Sequence, residues 1–359
     1  MTVCILGNSL TALTLAKVLV NYKIDVDLIF NKKNYKISDT RTIGISKNNV
    51  DFFNSNIINI EKLIWNIKKI DIFSENLNKE KIINFKTNKS YLFSIIKNYN
   101  LYQLLDKDLS KNKFFRSKFS AKDNFSFLNK YELVVNCDPF NSITKRYFNK
   151  KISKEYNSTA HTTIISHDEI INDTAVQIFT KKGPLAFLPI SNKKTSIVYS
   201  VHNSKNSEEE NIKELIKNKN LKYKIRDLEK IKSFELKSFN LRSYYHKNIL
   251  AFGDLLHKVH PLAGQGFNMT IRDIKVLSQI IKKKLDLGLL LDSSVIFEFQ
   301  KKVKHKNFIF SNGIDLVHEF FNVERKTKTN FLSKSVKLVG NQPSINRVFT
   351  KIADKGLLF

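Results

Sequence analysis

The stretch FGDLLHKVHPLAGQGFN, residues 252–268, constrains the fold more than any other part of the chain. The 359 residues include only 10 Gly and 5 Pro, yet three of the glycines and one proline lie here. The apolar run NILAFGD at 248–254 predicts a buried strand, and a helix is predicted from Phe267 onward. The stretch is therefore the loop of a strand–loop–helix unit. Its glycines can adopt positive φ or let a ligand contact bare backbone.

The chain begins with a second unit of this kind. VCILG at 3–7 and DVDLIF at 25–30 predict strands, and SLTALTLAKVLVNY at 9–22 predicts a helix between them. The turn carries three small residues at the spacing of the G-x-G-x-x-G dinucleotide-binding motif: Gly7, Ser9 and Ala12. Only the first is a glycine, so these residues alone leave open a βαβ unit that binds no nucleotide.

The sequence pattern changes in the middle of the chain. Residues 158–202 contain four short β-rich runs separated by turn residues, which predict an antiparallel sheet of three or four strands. Helices are predicted at 94–109 and 208–220, strands at 133–137 and 234–241, and a mainly helical C-terminus.

Charge and cysteine content limit the classes of protein to which this chain can belong. The net charge is +28, but only eight of the 61 basic residues are Arg, the usual reader of phosphates and bases, so a solvated basic surface is favoured over a nucleic-acid site. The only two cysteines, Cys4 and Cys137, lie in apolar runs, as expected of a reduced intracellular protein. No signal peptide is evident, and no apolar run of membrane-spanning length appears. No Cys/His pattern has the spacing of metal ligands, so no metal is expected.

The stretch 253–273 resembles the GD-A-A-H-x-x-x-P-x-x-G-Q-G-x-N-x-x-x-x-D signature of FAD-dependent aromatic hydroxylases, and above all the ubiquinone-biosynthesis hydroxylases, with Asp273 as its last residue. Further segments resemble this family in the same order along the chain: DTRTIGIS at 39–46, KNYNL at 97–101, VVNCDPFNS at 134–142, GPLAFLPIS at 183–191 and FIFSNGIDLVHEFFN at 308–322. The resemblance implies an α/β (α+β) fold. A Rossmann-like FAD-binding domain would span 1–155, an inserted antiparallel β-sheet substrate domain 156–245, and the return of the FAD-binding domain with C-terminal helices 246–359.

The resemblance also implies which residues contact FAD. Those implied are Gly7, Ser9, Ala12, Arg41, Asp254, Pro261, Gly264, Gln265, Gly266, Phe267 and Asn268. Asp254 would bind the ribityl or phosphate region, and the loop from Gly264 to Gly266 would face the pyrimidine edge of the flavin. No catalytic side chain is implied. The chain departs from the family where Asn31 replaces an acidic residue, Pro139 replaces a glycine and Leu255–Leu256 replace two alanines.

The implied reaction is hydroxylation of the aromatic ring of a polyprenylated phenol in ubiquinone biosynthesis. It would use O₂, with electrons from NAD(P)H or a protein donor, and other quinone-biosynthesis proteins are possible partners. A prenylated substrate implies a cytoplasmic protein working at the inner membrane surface, where the lysine-rich surface would help. Three alternatives stay open: a reductase of the same flavoprotein superfamily, a non-catalytic scaffold of a quinone-biosynthesis complex, and a nucleic-acid-binding protein.

Overall fold

The computed structural model describes residues 2–31, 39–77, 80–87, 90–120, 126–202, 209–261 and 264–327, together with Lys334, Lys351 and Asp354. The helices are α1 (Leu10–Asn21), α2 (Lys47–Asn56), α3 (Asn98–Leu109), α4 (Ser142–Tyr147), α5 (Glu209–Lys219), α6 (Gln265–Asp286) and α7 (Ser293–Thr327). The first nine strands are β1 (Thr2–Leu6), β2 (Asp25–Phe30), β3 (Thr42–Ser46), β4 (Ile64–Ile67), β5 (Lys69–Ser74), β6 (Lys81–Lys86), β7 (Phe93–Lys97), β8 (Phe115–Phe119) and β9 (Val134–Asn136). The others are β10 (Lys151–His167), β11 (Thr174–Thr180), β12 (Gly183–Pro189), β13 (Lys194–His202), β14 (Ile225–Leu228), β15 (Lys232–Leu241), β16 (Tyr245–His246), β17 (Ile249–Ala251) and β18 (His257–Lys258).

A six-stranded sheet combines four strands from residues 2–136 with two strands from residues 245–251. Its order is β16-β17-β9-β1-β2-β8, and every neighbouring pair is parallel except β16 and β17. The central strands β1, β9 and β17 are almost fully buried within one large apolar cluster that also includes residues of α1 and α6, which explains their continuous apolar sequences. The predicted βαβ unit is confirmed, with β1 beside β2 in the register Thr2↔Asp25.

A second, largely antiparallel sheet contains nine strands. Eight follow the order β18-β15-β10-β13-β12-β11-β5-β6, and β14 pairs with β10. The antiparallel sheet predicted from the four runs at 158–202 is confirmed as β10 to β13, and further strands extend it to nine. Residues 69–86 supply β5 and β6, and β5 pairs in parallel with β11, which lies about a hundred residues later. A pairing over so long a separation leaves no mark on local periodicity.

The two sides of the nine-stranded sheet have different neighbours. One side packs against α5 through an apolar cluster that includes Ile165, Ile197 and Ile212. Alternate residues point the other way, and among them Ser196 makes a 2.8 Å hydrogen bond with Thr42 of β3. We call this second side, marked by Ala160, Ile164 and Ser196, the inner face. It is turned toward β3.

A small three-stranded sheet, β3-β7-β4, links the two larger ones. The helix predicted at 94–109 is wrong in its first turn, because Phe93–Lys97 is a strand and the helix begins at Asn98. The segment pairs with both β3 and β4, so two sets of interstrand hydrogen bonds outweigh a helical extension.

Two long helices complete the described fold. α6 begins at Gln265, two residues before the predicted start, and about half of its 22 residues are buried, with α7 and β3 among its neighbours. α7 confirms the helical C-terminal prediction as far as Thr327. Within the described residues, neither these helices nor any other is long and apolar enough to cross a membrane.

Candidate functional site: a glycine loop at the edge of a dinucleotide-binding sheet

The two predicted strand–loop–helix units meet at a glycine. Gly253 follows β17 with a φ of 65°, and a Cβ there would lie 2.6 Å from the Thr11 side chain on α1. Only a residue without a side chain lets the end of β17 approach the first turn of α1 this closely. The loop of 252–268 and the dinucleotide turn therefore lie at the same edge of the six-stranded sheet.

The far end of the loop packs against β3. Gly264 has a φ of 63° and is the N-cap of α6, and a Cβ on it would lie 3.2 Å from the backbone nitrogen of Gly44. Gly266 differs, since its Cβ would meet only Val259, at 3.8 Å. Gly264 is therefore required by the fold, whereas Gly266 is not required by any protein contact that the structure describes.

Asn268 ties the loop to its surroundings. Its side-chain amide donates to the carbonyls of Gly44 (2.9 Å) and Gly264 (3.1 Å). Its side-chain oxygen accepts from the backbone of Ser46 (2.9 Å) and from the Asn49 amide (2.8 Å). The side chain is 2% exposed, so these bonds are shielded from water. Asn268 was predicted to contact FAD; the structure shows that its side chain holds β3, α2 and the loop together.

The dinucleotide turn has the geometry that its first glycine suggests. Gly7 has a φ of 99°, and a Cβ there would lie 3.2 Å from the Cβ of Asp138, which follows β9. Ser9 is the N-cap of α1, and its hydroxyl accepts from the backbone of Ala12 at 3.3 Å. The Ser9 hydroxyl therefore satisfies a free backbone N–H at the start of the helix, which the glycine of the motif at this position could not do.

An open cleft adjoins this turn at the carboxyl ends of β1, β2, β8 and β9. It is lined by Leu6, Gly7, Ile29, Phe30, Asn31, Ser120, Asp138 and Asn141. The carboxyl ends of parallel strands are where open α/β sheets bind nucleotides. Asn31 occupies the position where the motif's acidic residue is expected, so a neutral amide is available to a ribose there.

The remaining predicted residues lie around the same edge. Asp254 is exposed in the short turn after β17, and Pro261 and Phe267 are half-buried. Gln265 is buried at the start of α6. Arg41 is exposed immediately before β3, where its carbonyl accepts from the backbone of Asn98.

Two motif residues form a pair inside the protein. The ring of His257 lies 2.7 Å from the carboxylate of Asp273, which also accepts from the Asn307 amide on α7. Both side chains are almost fully buried, at 1% and 2% exposed. The pair fastens β18 to α6 and α7, which makes His257 a structural residue of the loop.

Sequence reasoning missed several residues that shape this edge. Thr11, Gly44 and Asn49 each contact a loop residue, yet none lies in the 253–273 signature. Thr11 and Asn49 lie in segments with ordinary helical periodicity, so nothing in the local sequence marks them as contacts of the loop. Gly44 could have been found, because it is one of only 10 glycines and interrupts a strand pattern.

Comparison with known proteins agrees with this arrangement. Residues 130–286 match the family model described as FAD binding domain. Over 260 residues the chain is 22% identical to the ubiquinone biosynthesis monooxygenase COQ6, mitochondrial, of Drosophila melanogaster, covering 61% of this chain and 54% of that one. Over 156 residues it is 28% identical to the 3-demethoxyubiquinol 3-hydroxylase of Escherichia coli, covering 42% of this chain and 40% of that one. The chain thus spans about half, or less, of the length of these relatives.

A solved structure shares the fold. The p-nitrophenol 4-monooxygenase PnpA of Pseudomonas putida superposes with a TM-score of 0.78 at 11% identity, over 98% of both chains. The shared fold confirms the predicted fold class. The match to an FAD binding domain confirms the predicted FAD cofactor. The chain is therefore similar to FAD-dependent monooxygenases, among them proteins of ubiquinone biosynthesis.

The exposed Asp254 and the hydrogen-bonded Asp138 should respond differently to truncation. Asp138 accepts from the backbone of Phe140 at 2.8 Å, so Asp138→Ala should lower the free energy of unfolding by roughly 0.5–1.5 kcal/mol. No protein contact of the Asp254 side chain is described, so Asp254→Ala should leave stability unchanged and weaken FAD binding more than Asp138→Ala does. Denaturant unfolding and FAD titration of both variants check this ranking. A larger loss of FAD affinity at Asp138 would contradict it.

Proposed function

We propose that this protein is an FAD-dependent monooxygenase that hydroxylates the aromatic ring of a polyprenylated phenol in ubiquinone biosynthesis. The observation that carries the proposal is the position of the loop from Gly253 to Asn268. The loop lies beside the dinucleotide turn at the edge of the six-stranded sheet and packs against β3, which is hydrogen-bonded to the inner face of the nine-stranded sheet. A flavin bound there would lie between the dinucleotide cleft and a sheet that we propose holds the substrate.

The residues present fit an FAD molecule. The cleft beside Gly7 lies where the adenosine half would bind, and the pyrophosphate would lie at the start of α1. We propose Ser9, Ala12, Arg41 and Asp254 as further contacts of the dinucleotide. Gly264, Gln265, Gly266 and Phe267 begin α6, whose free N–H groups and positive dipole would favour negative charge on the pyrimidine edge of the flavin. Pro261 would lie beside the ring.

The inner face fits an apolar substrate. Ala175 of β11 packs there with Ile67 and Ile95, and half-buried Leu188 and Ile190 adjoin them. The half-buried side chains at the margin of this packed cluster would give a prenylated ring apolar contacts that exclude water and bury the tail. When bound, FAD would supply the oxygen-transfer chemistry with O₂ and electrons from NAD(P)H or a protein donor. The chain's own residues would orient the ring and keep the site dry.

Three further points belong to the proposal. The chain would divide into an FAD-binding domain at 1–155 and 246–359 and a substrate domain at 156–245. The prenylated substrate would be taken up at a membrane surface, to which the lysine-rich exterior would be attracted. Other quinone-biosynthesis proteins would act on the same substrate before and after this step.

The first test is FAD binding. Adding FAD at a hundredfold excess over its dissociation constant should raise the free energy of unfolding by about 2.7 kcal/mol, because the ligand binds only the folded state. The purified protein should take up FAD with a shift in the flavin absorbance spectrum and an increase in Tm. Protein that stays colourless and shows no increase would favour the scaffold over any flavoenzyme.

The second test separates hydroxylase from reductase. A strain that lacks the corresponding ring hydroxylase should regain ubiquinone when it expresses this chain, and the unhydroxylated prenylphenol should disappear. Quinone extracts analysed by mass spectrometry report both species. A change in the saturation of the prenyl chain, with the ring unmodified, would identify a reductase instead.

A further inference from the structure

A buried imidazole lies one residue before Pro261, within the same loop. The His260 side chain is 1% exposed, and neither ring nitrogen has a hydrogen-bond partner among the described parts of the chain. Burying polar atoms without partners costs free energy, so a native protein retains such a group mainly where it contributes something other than stability.

The neighbours of His260 contact its ring without bonding to its nitrogens. Tyr156 meets the ring edge-on, with centroids 4.9 Å apart at 86°, and His318 of α7 lies 4.4 Å away at 32°. The Tyr156 hydroxyl donates to the Asp315 carboxylate, which also accepts from Ser238 at 3.2 Å. Tyr156 and Asp315 therefore satisfy one another and fix the position of the imidazole, while its two nitrogens stay available.

The position of Tyr156 shows which side of the sheet this cluster belongs to. β10 bulges between Glu155 and Thr159, and Tyr156 packs there with Ala160 and Leu236. Ala160 is one of the residues that mark the inner face, opposite the cluster that packs on α5. His260 therefore lies where the glycine loop meets the inner face, beside the proposed place of the flavin and the phenol.

We propose that His260 binds the hydroxyl group of the phenolic ligand and accepts its proton. The proposal rests on the proposed function, which supplies the phenol. The phenol O–H bond breaks and its proton moves to a free ring nitrogen of His260. The imidazolium then becomes neutral again by releasing the proton on its other nitrogen toward solvent through the half-buried His318. The phenolate left behind is more electron-rich at its ring carbons, and no oxidant is consumed in this step.

The charges around His260 agree with this role. Burial, and then the neighbouring His318, holds the pKa of His260 well below its ordinary value, so the free imidazole is neutral and stays a weak base until a negative charge lies beside it. Burial and the Asp315 hydrogen bond raise the pKa of Tyr156, which therefore stays a neutral phenol. A phenolate beside the ring would favour the imidazolium, because opposite charges stabilise one another.

The test uses 4-nitrophenol, whose colour reports its ionisation, titrated into the protein with and without FAD. His260→Gln should weaken binding about tenfold and make the bound probe ionise at higher pH than in the wild type. The matched control is His246→Gln, because His246 is half-buried on β16 and stacks on Tyr147, with centroids 3.9 Å apart, away from the His260 cluster. It should behave like the wild type.

A second variant separates function from folding. His260→Phe removes the unpaired nitrogens, so its Tm should equal or exceed that of the wild type while the probe affinity is lost. Equal probe affinity and ionisation in His260→Gln and the wild type, or no probe binding by the wild type, would overturn the proposal. A protein that binds the probe through His260 but never binds FAD would overturn the proposed function alone.

Discussion

Asn268→Ala is expected to lower the free energy of unfolding by about 3–5 kcal/mol, since the change leaves several buried backbone and amide groups without partners. The groups concerned are the Ser46 N–H, the Asn49 amide and the carbonyls of Gly44 and Gly264. Chemical denaturation monitored by circular dichroism measures the loss. FAD affinity should fall as well, because β3 and the glycine loop would no longer be held in one geometry.

The matched control for this prediction is Asn312→Ala. The Asn312 side chain is exposed on α7, and the bond that the described residues give it stays within its own helix, to the carbonyl of Phe308 at 2.8 Å. Its removal should change stability by less than about 0.5 kcal/mol. Equal losses in the two variants would mean that the hydrogen bonds of Asn268 do not join the loop to β3 in solution.

Gly264→Val should be the second severe change. A residue with a Cβ costs about 1–2 kcal/mol in left-handed backbone, and the branched side chain must also displace Gly44, so a total loss of about 2–4 kcal/mol is expected. Gly266→Val should instead leave the free energy of unfolding within about 1 kcal/mol of the wild type, because only Val259 lies near its Cβ.

The same two variants distinguish a structural glycine from a cofactor glycine. FAD affinity of the folded Gly266→Val protein should fall by at least about tenfold, since the added methyl groups would lie where the flavin edge approaches the helix. Isothermal titration with FAD, together with the Tm of each variant without FAD, gives both quantities. Unchanged FAD affinity in Gly266→Val would remove Gly266 from the proposed flavin contacts.

The two glycines of the GQG segment have different structural roles that their spacing in the sequence does not reveal. In the sequence, Gly264 and Gly266 are equivalent members of one motif. In the structure they differ, because Gly264 has a positive φ against Gly44 whereas Gly266 does not. The difference depends on where β3 lies, and β3 comes from a segment more than two hundred residues earlier. Motif spacing therefore located the loop, and tertiary contacts separated the roles of its residues.

The sequence alone determined the elements that are apolar and contiguous. β1, α1, β2 and β17 were predicted because buried parallel strands and amphipathic helices have strong periodic patterns. The loop between β17 and α6 was predicted because glycine and proline, rare elsewhere in this chain, are concentrated there. Each of these features is local, so a short window of residues contains all the information it needs.

Only the tertiary structure decided which distant segments meet. The strand at Phe93–Lys97 forms because β3 and β4 pair with it, and β5 joins the large sheet because β11 lies beside it. Likewise, His260 is notable only because Tyr156 and α7 bury its ring without pairing its nitrogens. Hydrogen bonds and burial between residues far apart in the chain produce these features, and no local pattern in the sequence encodes such contacts.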